Sequence, residues 1–490
     1  MVGWLVYREV VVPASQTLPA AKASIMPSDY WMGIYLGEDQ RAGFVNVRTR
    51  PQERDGTLGS HIAASARAQL NLFGFDADMA VTGRAWLAED RRRADFDYTL
   101  IAGESKSRVY GELRDGQLSA NLDTGGAVTP FKFPVGEDML LGMGMGGTAM
   151  ELPALEPGQE VYIDSFDPTS MSVGKAKLKC TGRETLTVGG EPVETTIIDI
   201  TLGGMTTRTW IDENQETVKA QTPLGITLKK ITSQEALAPI PPGERLALLE
   251  SMTAVPTGAP LTRGVGEMQF RLSGLPPEVG LPFDENQRDA GGGLMVTSSP
   301  KLEQGDEQLP EEERAAALGS DPLVNWDNNA IRTLATEITG GATTDADKAR
   351  ALYEWVYVNI RKIPTLSVPA ALDVLRTREG DCNEHTVLFT ALSRAAGLPC
   401  RIAIGLTYSE TLGGFGYHAW PEVWLGQWVP MDPTLGQPVA DATHIKLLNG
   451  GIDKWPALVS YIGKVQIEVV ETSGLVDTEL EGSETGEMVQ

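Results

Sequence analysis

The chain has 490 residues, 41% of them hydrophobic and 22% charged, which places it among globular proteins; its length exceeds what one hydrophobic core organises, so two or three domains are expected. A formal net charge of −25 argues against a nucleic-acid partner, which needs a basic face. Cys180, Cys382 and Cys400 are too few and too odd in number for a disulfide framework, so at least one thiol stays free.

The first residues, MVGWLVYREVVV, are apolar but broken by Arg8 and Glu9. They are too short and too charged to span a bilayer, which needs about 20 apolar residues. Two readings of segment 1–28 stand: a plain β start, or the remainder of a signal or membrane anchor. The second carries an expectation of a cell-envelope or periplasm-like location and of membrane association.

Residues 29–236 read as short alternating strands joined by tight turns. Asp115-Gly116 and Gly189-Gly190 sit between alternating runs, and Asp212 to Gln215 supplies a further turn, so this stretch is expected to be an antiparallel β domain. Gly142, Gly144 and Gly147 satisfy a dinucleotide fingerprint, yet Pro153 and Pro157 fall where its crossover helix should run. A loop of the β domain is the better reading.

Residues 237–320 are expected to form a small β region and a linker. Gly243 to Met252 has the pattern of a short helix, Val265 to Leu272 and Gly293 to Ser298 of strands, and the acidic Lys301 to Arg314 of a linker. From Asp321 the apolar period changes from two to that of a helix. Thr344 and Asp347 form a capping-box pattern, and helices are expected through Pro369 to Arg376 and Cys382 to Ala396. Strands follow at Cys400 to Leu406, Tyr417 to Leu425 and Trp428 to Met431. This makes 321–471 an α+β domain. Residues 472–490, polar and acidic, are expected to be a disordered tail.

The chemistry-bearing residues lie in that α+β domain. Asp381 and Glu384 are spaced as an N-cap and its N3 partner, so the helix should begin at Cys382 and offer the thiol the free N–H groups and positive end of its first turn. Such a setting lowers a cysteine pKa, and a stabilised thiolate nucleophile is the expectation. Gly380 lets the chain turn sharply into the helix. The base must come from another element, and His418, opening a strand after the glycine-rich loop Gly413 to Gly416, is placed to supply it. Asp432, just beyond the next strand, is placed to orient that imidazole.

Gly380-Asp381-Cys382, then Tyr417-His418-Ala419-Trp420-Pro421-Glu422-Val423, then Met431-Asp432-Pro433-Thr434 resemble the transglutaminase-like superfamily, whose catalytic domain is papain-like. The order Cys, His, Asp and the flanking Ala371, Val374, Leu375, Leu388, Leu392, Gly397, Leu398 and Pro399 also look like the family. What the resemblance implies is a Cys382, His418 and Asp432 triad that performs cysteine-dependent acyl transfer on a protein, a peptide or a small amide, through an acyl-enzyme and without a cofactor. The Cys382 N–H is the natural oxyanion donor; Trp355 and Asn359 are candidates for a second donor.

Competing readings narrow this set. Cys180 and Cys400 read as packing residues. His385 stands one turn from Cys382, but a zinc site needs three or four ligands and no second Cys/His pair exists, so His385 is expected to support or pack against the site and no metal is expected. His61 and His444 read as ordinary surface or core residues. Trp420, Trp424 and Trp428 suit either an aromatic subsite or cross-strand packing. Hydrolysis outranks crosslinking, because amine transfer demands a second binding site and no motif identifies one. Two alternatives stand beside it: amine transfer of transglutaminase type, and a non-catalytic envelope scaffold or binding protein that uses its β region.

Overall fold

Period-two patterning builds most of the molecule. The computed structural model describes residues 27–36, 40–72, 75–90, 92–102, 105–124, 128–134, 140–141, 155–167, 172–202, 205–222, 225–240, 246–247, 253–275, 280–320, 323–363, 370–450 and 464–476. In the strand Ala94–Ala102, Ala94, Phe96 and Tyr98 point inward; in Gln117–Asp123, Leu118, Ala120 and Leu122 do. Asp115 and Gly116 both take positive φ, 50° and 72°, as do Gly189 and Gly190 at 60° and 90°. Two consecutive left-handed residues give the tight turn whose twist matches a hairpin, which is why Asp-Gly and Gly-Gly fall there.

These hairpins form one large antiparallel sheet from two meanders. The first runs from Ser28–Leu36 to Val128–Pro134, the second from Glu160–Asp167 to Ile226–Ile231. They join where the first strand pairs with the last, Trp31 opposite Ile231. The sheet curls so that its inner faces meet: Phe96 of the first meander and Phe166 of the second have ring centroids 5.3 Å apart, among Leu118, Leu178 and Cys180. The expected β domain is therefore present. Residues 1–26 and the Gly142, Gly144 and Gly147 stretch lie outside the described residues.

The small β region differs from expectation in three places. Within the stretch expected as a helix, Leu246–Ala247 is a short strand paired in parallel with Leu70 and Asn71 of the large sheet, the rest of 243–252 being outside the described residues. Part of the expected linker, Glu311–Ala317, is a helix, and Leu309 and Ala317 pack on Trp428. Finally, Gln466–Leu475 is a strand lying between Thr257–Gly258 and Val265–Ser273, so the expected boundary at 471/472 cuts through a sheet. Its acidic residues alternate with buried Ile467 and Val469. Period two there outweighs composition. Of the expected tail, 477–490 lies outside the described residues.

In the last third, four helices, Asn329–Thr339, Asp345–Asn359, Ala371–Thr377 and Cys382–Ala395, surround and precede a four-stranded antiparallel sheet. The predicted capping box at Thr344 and Asp347 is formed in both directions. The Cys382 helix is central: every residue from Asn383 to Ser393 is buried, against Ile404, Ala419 and Val423 of the sheet and Leu352 and Val356 of the neighbouring helix. In the sheet Trp428–Pro430, Gly414–Trp424, Cys400–Ser409 and Ile445–Asn449 lie in that order, and the fourth strand is one that alternation alone did not reveal.

The small sheet is bonded to this domain rather than tethered. Thr297 Oγ1 donates to Ala442 O at 2.5 Å, Ser299 Oγ to Ala440 O at 2.8 Å and Gln287 Nε2 to Lys446 O at 2.7 Å. Among the described residues, no helix is long and apolar enough to cross a membrane.

Candidate active site

Gly380 enters the central helix with φ of 156°, and a Cβ there would stand 2.2 Å from Glu384 Cβ, so only glycine fits this entry. Asp381 then caps the helix: its carboxylate accepts from Asn383 N at 2.9 Å while Glu384 reaches back to Asp381 N at 2.9 Å. Cys382 is thus the first helical residue, as its sequence context predicts.

The first turns of the helix are fastened to the strand that carries His418. Thr386 Oγ1 donates to Ala419 O at 2.9 Å and Tyr417 Oη to Asn383 Oδ1 at 3.3 Å. The Cys382 thiol therefore lies beside the peptide that follows His418. On the far side, His418 Nε2 lies 2.7 Å from Asp432 Oδ2. An ionised carboxylate only accepts, so Nε2 carries the proton and Nδ1 is left with a lone pair. Asp432 Oδ1 takes backbone N–H groups from Thr434 at 2.9 Å and Leu435 at 2.8 Å. Asp432 is fully buried, but the imidazoles of His418 and His444 beside it hold its carboxyl well below the usual range.

Residues 332–433 match the family model of the transglutaminase-like superfamily. They form a transglutaminase-like domain. Two curated proteins are similar over 140 residues: the kyphoscoliosis peptidases of Mus musculus, at 29% identity, and Homo sapiens, at 30%. Each alignment covers 24% of this chain, and the chain spans only 20% of the length of either relative. Among solved structures, the periplasmic domain of TgpA from Pseudomonas aeruginosa bound to ethylmercury is 20% identical, over 37% of this chain and 78% of that one, with a TM-score of 0.25.

Three features of the site correct the sequence reading. The first is His444, taken there for an ordinary residue. It precedes the fourth strand, which is bonded to Cys400–Ser409 and so delivers it to the triad: His444 Nε2 is 3.1 Å from Asp432 Oδ2, and its ring stands edge-on to His418 with centroids 5.7 Å apart. It belongs to no local motif, so the signal that could have found it was a pairing between strands distant in sequence.

The second concerns the thiol. Burial, with the carboxylates of Asp381, Glu384 and Asp432 nearby, pushes Cys382 well above an ordinary cysteine, against the lowering effect of the Ala419 N–H. The helix N-terminus favours the thiolate, but it is partly cancelled by the acidic cap that creates it. These effects favour the protonated form, against the stabilised thiolate expected from the cap alone.

The third concerns the second oxyanion donor. Asn359 is exposed and its Nδ2 donates to Trp355 O, in its own helix, at 2.8 Å. Trp355 lies under the Arg378 guanidinium, 4.4 Å from its ring centroid. The Asn359 amide is thus engaged within its own helix, whereas the contact to Trp355 covers its ring face.

Elsewhere the packing readings hold. His385 is buried, one turn from Cys382, and its Nδ1 donates to Asp381 O at 2.7 Å; burial depresses its pKa and keeps it neutral. Cys180 and Cys400 are wholly buried, the latter pushed up to about 11 by burial. Trp424 and Trp428 form a cross-strand pair with centroids 5.3 Å apart, and Trp420 stacks on His418 and stands edge-on to His444. His418, Asp432 and His444 bring their donor atoms within 4.8 Å of one another, and mutual hydrogen bonds account for all three.

Proposed function

We propose that this protein performs cysteine-dependent acyl transfer on amide or peptide bonds, with Cys382 as nucleophile, His418 as base and Asp432 as the group that orients it. The observation that carries the reading is the His418 Nε2 to Asp432 Oδ2 hydrogen bond of 2.7 Å, made on the strand to which the Cys382 helix is fastened by the Thr386 to Ala419 bond. It leaves His418 Nδ1 as the atom that takes the thiol proton while sulfur attacks the substrate carbonyl. The carbonyl oxygen becomes an oxyanion, to which the Cys382 N–H at the helix start is the available donor. His418 returns its proton to the leaving amine, and water then cleaves the thioester with His418 again as base. Because the protonated form of Cys382 is favoured, its deprotonation accompanies attack and His418 carries the catalytic burden.

Hydrolysis is preferred over amine transfer, since water is always present and an amine acceptor needs its own site. The peptidase names of the two curated relatives support the same choice over the quarter of the chain they cover. The substrate class is a protein, a peptide or a small amide. The test is a mixture of quenched peptide and amide substrates with and without a labelled amine. Release without amine incorporation is expected, with Cys382→Ala and His418→Ala each about 10³-fold slower or worse. Full turnover by Cys382→Ala overturns the enzyme, and amine incorporation exceeding hydrolysis overturns the preference.

A further inference from the structure

Asp432 serves two histidines. On the side opposite the thiol, His444 points Nε2 at Asp432 Oδ2, 3.1 Å away, and Nδ1 at the Asp441 carbonyl, 3.0 Å, with the Asp441 carboxylate at 3.3 Å from the same nitrogen. Neither a carbonyl nor an ionised carboxylate has a proton to give, so both ring nitrogens must be donors. That makes His444 an imidazolium held between two carboxylates, inside the protein.

The charged neighbours bear on this assignment, Lys362 beside Asp432 among them. Asp441 is kept ionised by the Gly264 N–H at 2.8 Å, the Gln437 amide at 2.6 Å and Thr443 Oγ1 at 2.5 Å, with Arg263 3.9 Å away. Glu422 and Lys446, which line a small cavity beside His444, pair with each other at 2.9 Å and so present little net charge. Trp420 closes the face toward the sheet, and His418 is the other titrating ring. Burial alone would strip the proton from His444, but the two carboxylates outweigh it and raise it to about 9.

We propose that His444 is a positioning residue that sets the basicity of His418 by sharing Asp432 with it. A carboxylate already paired with one cation stabilises a second imidazolium less, and the His444 charge repels that of His418 at close range. The inference rests on the reading of His418 as the base, and no bond is made or broken by His444 itself.

The chain contains four histidines, so ring-labelled protein gives a histidine spectrum simple enough to assign. In the unaltered protein His444 should show imidazolium shifts at pH 7 and lose its proton only on the alkaline side. In His444→Gln, whose amide can still donate to Asp432, the apparent pKa of His418 should rise by about one unit or more, as expected for removing a charge at this separation in a partly screened interior. The acid limb of kcat/KM should move to higher pH by the same amount. A neutral His444 at pH 7 in the unaltered protein overturns the proposal whether or not the variant folds, and so does a His418 titration unmoved in a folded variant. The titration needs no turnover: a shifted His418 in a chain that transfers no acyl group sustains the coupling and sinks the proposed activity.

Discussion

At the scale of single residues, the site is governed by how buried charge is shared. Asp432 accepts from two imidazoles and two backbone N–H groups, so removing any one leaves a carboxylate that is still bonded, whereas removing Asp432 strands two histidines. The thiol shows the opposite balance. Burial raises its pKa, and the carboxylates of Asp381, Glu384 and Asp432 nearby add to that effect, so the neutral form is favoured. The sign of the pH dependence follows: raising pH populates a thiolate that the fold disfavours. Alkylation of Cys382 by iodoacetamide should climb steadily through the alkaline range, with Cys180 and Cys400 slower because both are wholly buried. A rate that levels off below pH 7 would instead indicate a preformed thiolate and imidazolium pair. The competition was visible only in part beforehand: the cap is local and readable at Asp381 and Glu384, but the third carboxylate arrives through the fold.

At the scale of elements, one helix start does most of the positioning. Its cap is a reciprocal pair, and Asp381→Ala removes one orphan donor's partner, which costs about 1 kcal/mol of stability. Gly380→Ala is the harsher change, since its Cβ would collide with the Glu384 side chain that completes the cap, at a φ that L-residues rarely adopt. Chemical denaturation should therefore place Gly380→Ala below Asp381→Ala in stability, and the reverse order would mean that the cap does not hold this entry. Both capping boxes of the domain, at Thr344 and Asp381, are legible from four consecutive residues because their hydrogen bonds are local. Strand pairing is not local. Ile445–Asn449 lies across Cys400–Ser409 through a register that no short window contains, and His444 came to light with it.

At the scale of the whole molecule, the segments carrying the site are braced from outside the transglutaminase-like domain. Ala440 and Ala442, on either side of Asp441, are held by Ser299 and Thr297, which lie at the end of one strand of the small sheet, and the same sheet is completed by Gln466–Leu475. Val469 is buried in that last strand and packs into the core shared by the sheet and the domain. Val469→Asp places an unpaired carboxylate there and should cost about 3 kcal/mol or more. Limited proteolysis and activity should report loosening of the domain and lower turnover together, while the large sheet, whose core is separate, keeps its protease resistance. Unchanged turnover in that variant would show that the brace is dispensable.

The sequence by itself determined what depends on neighbours along the chain: the hairpin turns at Asp115-Gly116 and Gly189-Gly190, the helix caps, the change of period at Asp321, and the order Cys382, His418, Asp432. Each rests on backbone conformation or on hydrogen bonds spanning a few residues. Tertiary structure alone decided which carboxylates surround the thiol, that a second histidine shares Asp432, and that an acidic C-terminal segment completes a sheet begun about two hundred residues earlier. Those outcomes follow from burial and from pairing between distant strands, where the energy of a contact depends on what else is excluded from water beside it.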